Sequence, residues 1–289
     1  MKQTLGEKSF QVFNYLVLAA AAATMLIPLL NLLAVSLSSP VAADSKQVFL
    51  LPVEFTTGSW EHILQNKGLW GSFGVTIYIT VIGTLLSMLF SVLTAYPLSH
   101  KEFMLRKPIM FGIIVTMIFN APLIPFFLTV RELGMMNSLW SLIIPGLIGT
   151  FNMIIIRTFF MGLPAELYDS ARIDGCTDAG VLFRIYLPLS KPVLATVSLF
   201  YAVGYWNTFQ RAVLFIRNPD LWPLQMKLRA YLTSPEELAA VNLVLGDYDF
   251  NTTTLKAATI LFATIPIVIV YPYLQKYFVK GSMLGSLKE

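Results

Sequence analysis

The sequence predicts an all-α membrane protein with six transmembrane helices, and three observations predict it. Of 289 residues, 56% are hydrophobic and only 12% charged, with a mean hydropathy of +0.69; a soluble domain carries roughly 25% charged residues. Six stretches of 19 residues or more contain no Asp, Glu, Lys or Arg, and a bilayer-spanning helix needs roughly 17–25 predominantly apolar residues. The remaining charges are distributed unequally between alternate loops. Such a composition argues against a soluble enzyme, a nucleic-acid binder or a disordered chain. The single cysteine, Cys176, excludes an intramolecular disulfide and a Cys-based zinc site. The net charge of +4 and pI of 9.1 do not imply nucleic acid, because the basic excess flanks apolar segments.

The charge-free windows are 9–43, 68–100, 108–130, 133–156, 192–210 and 257–275. They predict spans at about 12–36, 73–98, 108–130, 139–161, 192–216 and 257–278. An even number of spans puts both termini on one side. The N-tail, 99–107, 157–191 and the C-tail carry 12 Lys/Arg and 7 Asp/Glu, whereas the alternate segments carry 8 and 9. The positive-inside rule therefore places the first set, and both termini, in the cytoplasm. His100-Lys101 and Arg106-Lys107 mark that side most clearly. The first window is longer than the roughly 7–15 residues of a signal-peptide core, so it reads as an anchor.

Pro28, Pro97, Pro122, Pro125, Pro145, Pro266 and Pro272 lie in or beside spans. They predict bent helices, serving either packing or hinge motion. The chain has no phosphate-binding loop, HExxH or CxxC, no Asp, Glu or His inside a span, and a Lys only at the inner end of the last, Lys276. An ion-coupled transporter normally has such groups or an inverted repeat. A membrane-embedded enzyme would need a carboxylate or His at the interface, and only His62 and His100 exist.

The cytoplasmic segment after the fourth span is the most informative. Pro164 suits a first helical turn, with Leu167, Ala171 and Asp174 following at helical spacing and Glu166, Asp169 and Arg172 on neighbouring faces. Gly175 ends that helix as a residue free to take positive φ. Thr177 caps a second short helix with Asp178 in its first turn, and Pro188 is expected to stop it. The result is a pair of short helices with a tight elbow.

Asp169-Ser170-Ala171, then Gly175, then Ile185-Tyr186-Leu187-Pro188 resemble the EAA loop of ABC importer permeases, with Asp for Glu and Ser for the first Ala. Ala95-Tyr96-Pro97-Leu98-Ser99, Leu133-Gly134-Met135 with Asn137-Ser138, Phe200 to Val203 with Trp206-Asn207, and Pro223-Leu224-Gln225 with Leu228-Arg229 extend the resemblance. So does the tail Phe278-Val279-Lys280-Gly281 with Gly285. The chain is similar to the carbohydrate-uptake, MalG-like permeases and, among them, to the LplC-type branch.

That resemblance implies a type I importer permease (MetI-like) fold. It implies a division into 1–71, a shared core 72–279 with its elbow at 163–190 and an external loop at 217–256, and a tail 280–289. It also implies a second homologous permease, two ABC ATPase subunits, and an extracellular or periplasmic solute-binding protein that delivers an oligosaccharide. The chain itself is then not an enzyme and binds no cofactor; ATP and Mg belong to the ATPases. Glu166, Asp169, Ser170, Ala171, Arg172, Asp174 and Gly175 would couple to them. Members of the branch import fragments of acidic polysaccharides such as pectin and alginate, which gives a lean toward acidic cargo.

In the external loop, Ser234-Pro235-Glu236-Glu237 reads as a capping box opening a helix over 235–245, with Gly246 as its stop. Asp247, Tyr248, Asp249, Phe250 and Asn251 then form an exposed tip, either a solvated connector or, by the resemblance, a contact for the solute-binding protein. For the sugar path the spans offer Asn120, Asn152, Tyr201, Tyr205, Trp206, Asn207, Thr208 and Gln210. Each of these also reads as interfacial aromatic or interhelical bonding.

Overall fold

Of the 35 uncharged residues after Lys8, those up to Ser36 lie in one helix, α1 (Leu5–Ser36), in a computed structural model that describes residues 5–119, 121–233 and 250–286. At about 1.5 Å per residue its length exceeds the roughly 30 Å hydrocarbon core of a bilayer. In chain order there follow α2 (Pro40–Asp44), α3 (Gly58–Gln65), α4 (Lys67–Ser99), α5 (Arg106–Ile118), α6 (Leu123–Glu132), α7 (Trp140–Ile143) and α8 (Thr150–Met161). The elbow comprises α9 (Ala165–Ile173), α10 (Asp178–Val181), a π-helical turn (Leu182–Tyr186) and α11 (Leu187–Leu189). Beyond it lie α12 (Lys191–Trp206), α13 (Gln210–Phe215), α14 (Leu224–Thr233) and α15 (Thr252–Ser286). No strand occurs among the described residues.

Among the described residues three helices are long and apolar enough to cross a membrane unaided, over Gly6–Ser36, Lys67–Ser99 and Thr252–Val270. The remaining predicted spans are interrupted. The third divides into α5 and α6, with Pro122 at the N-cap of α6. The fourth bends by 45° between Trp140–Gly146 and Thr150–Met161. The fifth, expected to reach 216, is helical only to Trp206 and resumes as α13. Pro28 and Pro97 instead lie inside the unbroken α1 and α4.

The chain forms two compact units. One comprises Met1–Lys67 with Leu228–Pro266. Its polar contacts fasten the start of α15 to the N-terminal elements. The Ser59 hydroxyl donates to Thr254 Oγ1 at 2.8 Å, Thr253 donates to Asp44 at 2.8 Å, and Asn251 Nδ2 donates to the Pro40 carbonyl at 3.0 Å. Asn251 also caps α15: its Oδ1 accepts from the Thr254 amide at 2.9 Å, while Thr254 Oγ1 accepts from the Asn251 amide at 3.1 Å. This is a reciprocal capping box with Thr in the place of Glu.

The second unit comprises Gly68–Lys227 with Ile267–Glu289. Its core centres on Ile79, Leu142, Met153, Ile156, Val197 and Phe215, all fully buried. Here α12 and α5 both pack on α8. Gly134 and Met135 close α6 with bonds from Gly134 N–H to the Arg131 carbonyl and Met135 N–H to the Val130 carbonyl, with Gly134 at φ 68°. The Leu224 amide donates to Thr76 Oγ1 of α4 at 2.7 Å.

Candidate functional site

The elbow is built by local rules. Pro164, with ψ 132°, is the N-cap residue of α9 rather than its first helical residue. Glu166 lies in the first turn and Arg172 in the last, each complementing the helix dipole. The Cys176 amide donates to the Ala171 carbonyl at 2.9 Å and the Gly175 amide to the Arg172 carbonyl at 3.1 Å. With Gly175 at φ 80° this is a complete Schellman end, with Ala171 buried in the core and Cys176 packed against the same cluster. Thr177 Oγ1 accepts from the Gly180 amide at 3.2 Å and so caps α10 as expected.

Pro188 does not stop the second helix, contrary to the sequence expectation. The helical run continues to Leu189 because the turn Leu182–Tyr186 widens to π geometry, the Leu187 amide donating to the Leu182 carbonyl. The wider turn relieves the clash that a proline ring makes with the carbonyl four residues earlier. The bend falls at Ser190, where the run meets α12 at 84°.

Asp178 locks the two halves of the elbow. It accepts the Tyr168 hydroxyl at 2.9 Å and pairs with Arg172 at 3.5 Å, both partners projecting from α9. The ion pair is solvent-exposed and contributes little to stability. Burial raises the Tyr168 pKa, and the hydrogen bond and charge of Asp178 add to the shift.

Aromatic rings then join the elbow to the inner end of α4. The His100 ring lies 4.7 Å from Tyr168, 4.8 Å from Tyr96 and 5.8 Å from Tyr186. Burial lowers the His100 pKa, while Asp178 and Glu102 oppose the shift. Beside this stack is a cavity of about 470 Å³ bordered by Pro97, His100, Tyr168, Asp178 and Phe183.

Of the predicted elbow residues, Ala171 is buried, and Glu166, Asp169, Ser170, Arg172, Asp174 and Gly175 are exposed. The Ser170 hydroxyl is spent on the Glu166 carbonyl at 2.7 Å. Glu166, Asp169 and Ile173 follow at i, i+3 and i+7, on the face opposite Leu167 and Ala171. Ile173 is 86% exposed. Sequence reasoning missed Ile173 and the Tyr168–Asp178 link. The available signal was that Ile173 is apolar yet lies off the buried stripe.

The residues proposed for a sugar path separate into two sets. The Tyr201 and Tyr205 rings are buried and their hydroxyls engaged. Tyr201 shares a 2.6 Å bond with Ser91 and accepts the Gly149 amide at 2.9 Å; Tyr205 shares a 2.8 Å bond with Ser87 and donates to the Ile143 carbonyl at 3.3 Å. Arg211 donates to the Leu142 carbonyl at 3.1 Å. These three side chains satisfy the backbone groups freed where the fourth span breaks. Trp206 is also buried, edge-on to Phe73, and the Thr208 hydroxyl donates to the Gly204 carbonyl at 3.3 Å. By contrast Asn207 and Gln210 are exposed and Asn152 is half-buried. Asn120 lies outside the described residues.

The external helix at 235–245 with its capping box, together with Asp247, Tyr248 and Asp249, also lies outside the described residues. Phe250 and Asn251 do not form an exposed tip. Phe250 is buried with its ring 4.8 Å from His62, and Asn251 is half-buried as the cap of α15.

Residues 87–282 match the family described as the binding-protein-dependent transport system inner membrane component. The chain is 40% identical over 285 residues to the polygalacturonan/rhamnogalacturonan transport system permease protein YtcP of Bacillus subtilis (strain 168), covering 98% of this chain and all of that one. It is 41% identical over 292 residues to Protein LplC of the same organism, covering 100% and 98%. A solved chain of a bacterial ABC transporter that imports the acidic polysaccharide alginate superposes with a TM-score of 0.89 at 34% identity, over 96% of this chain and 99% of that one.

Proposed function

The chain belongs to the family of binding-protein-dependent transport system inner membrane components, and from that premise we propose that it is one of two permease halves of an ATP-driven importer of acidic oligosaccharides. The observation that carries the coupling role is the elbow. A Schellman end, a Thr cap and the Asp178 clasp hold two short helices rigidly, while Glu166, Asp169 and Ile173 face outward on α9. A rigid knob of this kind suits a cleft on an ATPase subunit, whose closure would rotate the spans. ATP and Mg are bound on that subunit. A solute-binding protein delivers cargo at the outer face, with Asp247, Tyr248 and Asp249 as its contact.

The proposed topology has six spans and both termini in the cytoplasm, supported by the charge asymmetry. The shared core runs over 72–279. Acidic cargo is favoured by the names of two similar proteins, one for polygalacturonan/rhamnogalacturonan and one for alginate. Gln210 and the half-buried Asn152 offer amides of the kind that sugar hydroxyls need, and Asn207 is exposed with its Nδ2 donating to the Val203 carbonyl at 2.9 Å, whereas Tyr201 and Tyr205 act in this arrangement by holding helices together.

The test is uptake into vesicles by the complete assembly, with its second permease, ATPases and binding protein. ATP-dependent uptake of an oligogalacturonide in preference to a neutral oligosaccharide of equal length is expected. Uptake by this chain alone, without ATP, would refute the reading.

A further inference from the structure

We propose that the cavity at the start of α5 holds the phosphate headgroup of an anionic phospholipid, whose acyl chains lie along the exposed face of that helix. The cavity measures about 630 Å³ and is lined by four cations, Lys101, Arg106, Lys107 and Arg157. Among the described residues none of the four forms an ion pair. Arg157 is held in place by a 2.8 Å bond from its Nε to the Leu98 carbonyl, which leaves its two Nη groups available. Arg106 reaches only the neutral Met161 sulfur, at 3.7 Å. Four positive charges around one cavity repel each other unless an anion joins them.

Two further features select the ligand. The first turn of the 13-residue α5 carries no side-chain cap; the Arg106 amide donates to the Phe103 carbonyl and Pro108 has none, so the Lys107 amide and the positive helix end add to the cationic site. The apolar wall continues outward as Phe111, Ile114 and Ile118, which are 71%, 42% and 67% exposed and follow at i, i+3 and i+7. A free phosphate would neutralise the cations and leave that stripe bare; a phospholipid covers both. Basic pockets between helices on the cytoplasmic side are suited to anionic headgroups.

The site rests on the proposed topology, which puts loop 100–105 at the inner surface. The test is native mass spectrometry of the whole transporter released from mild detergent. The unaltered complex should retain phosphatidylglycerol or cardiolipin. Arg106→Gln with Lys107→Gln should weaken that retention about twenty-fivefold, at about fivefold per basic residue near the membrane surface. Arg106→Lys with Lys107→Arg should preserve it. Should the Gln pair fail to assemble, titration of the delipidated, unaltered complex decides: phosphatidylglycerol should bind at least about tenfold more tightly than phosphatidylcholine.

Equal affinity for the two lipids would overturn the proposal, as would displacement of the lipid by millimolar inorganic phosphate, which marks a free-anion site. Loss of ATPase subunits from the Gln pair with lipid retained would reassign the cluster to protein docking and overturn it too. A reporter after His100 that reads external would refute the topology and this site together. A cytoplasmic reading without lipid preference would refute the lipid site alone.

Discussion

Tyr201 and Ser91 share a 2.6 Å hydrogen bond between α12 and α4, and the same tyrosine oxygen accepts the Gly149 amide at the break in the fourth span. One side chain thus fastens three elements. Tyr201→Phe leaves the Gly149 amide and Ser91 hydroxyl without this partner, each buried unsatisfied group costing about 1–3 kcal/mol. The purified complex should show a lower thermal midpoint, with a smaller loss for Ser91→Ala. An unchanged midpoint would mean that the break is held by other contacts.

Gly83 sets how closely α4 approaches α12. A Cβ there would lie 2.8 Å from three ring carbons of Tyr205. Gly83→Ala should therefore destabilise by about 1–3 kcal/mol, the usual range for overpacking. Combining it with Tyr205→Leu should recover part of the loss, read as non-additivity in thermal unfolding of the complex.

Gly175 tests the elbow. Its φ of 80° is unfavourable for a side chain, although a Cβ would meet nothing within 4 Å. The penalty of Gly175→Val is thus backbone strain, on the order of 1 kcal/mol, together with a displaced α9. Normal membrane levels, weakened ATPase pull-down and lost uptake are expected. Gly175→Asn, which tolerates this conformation better, should retain most activity. Ile173→Asp should lose ATPase binding at unchanged stability, because this side chain is 86% exposed. Asp169→Lys should act in the same direction.

His100 confers a pH dependence. Burial lowers its pKa below the ordinary 6.5, so the neutral ring is the form that the aromatic stack favours. A group depressed in the folded state contributes fully above its unfolded pKa, and that contribution is lost as pH falls through the folded value. Stability and coupling should therefore be level above pH 6.5 and decline below it. His100→Phe should flatten the decline in a thermal-midpoint profile from pH 7.5 to 5.

Topology has its own measurement. A reporter fused after His100 or Lys191 should read cytoplasmic, and one near Asp247 external. The same reading at 100 and 247 would exclude six spans.

Much of the elbow is legible in the sequence, because helix ends are local. Gly175, Thr177 and Asp178 act within a few residues, and such turns form with little help from the rest of the chain. Charge-free windows likewise located the apolar segments, because the cost of placing a charge in hydrocarbon applies wherever the helix packs. The course of those segments was not legible. Seven prolines suggested bends, yet α1 and α4 run through Pro28 and Pro97, while the fourth span breaks between Gly146 and Thr150. A break is stable only where other elements satisfy the freed backbone groups. Here those elements supply Tyr201, Tyr205 and Arg211, between 52 and 69 residues away in the chain. The sequence by itself determined which segments are apolar and where the elbow turns. Tertiary structure alone decided where a span can break, that two tyrosines compatible with a sugar path are engaged in holding helices, and that Ile173 faces outward, because each depends on partners remote in sequence.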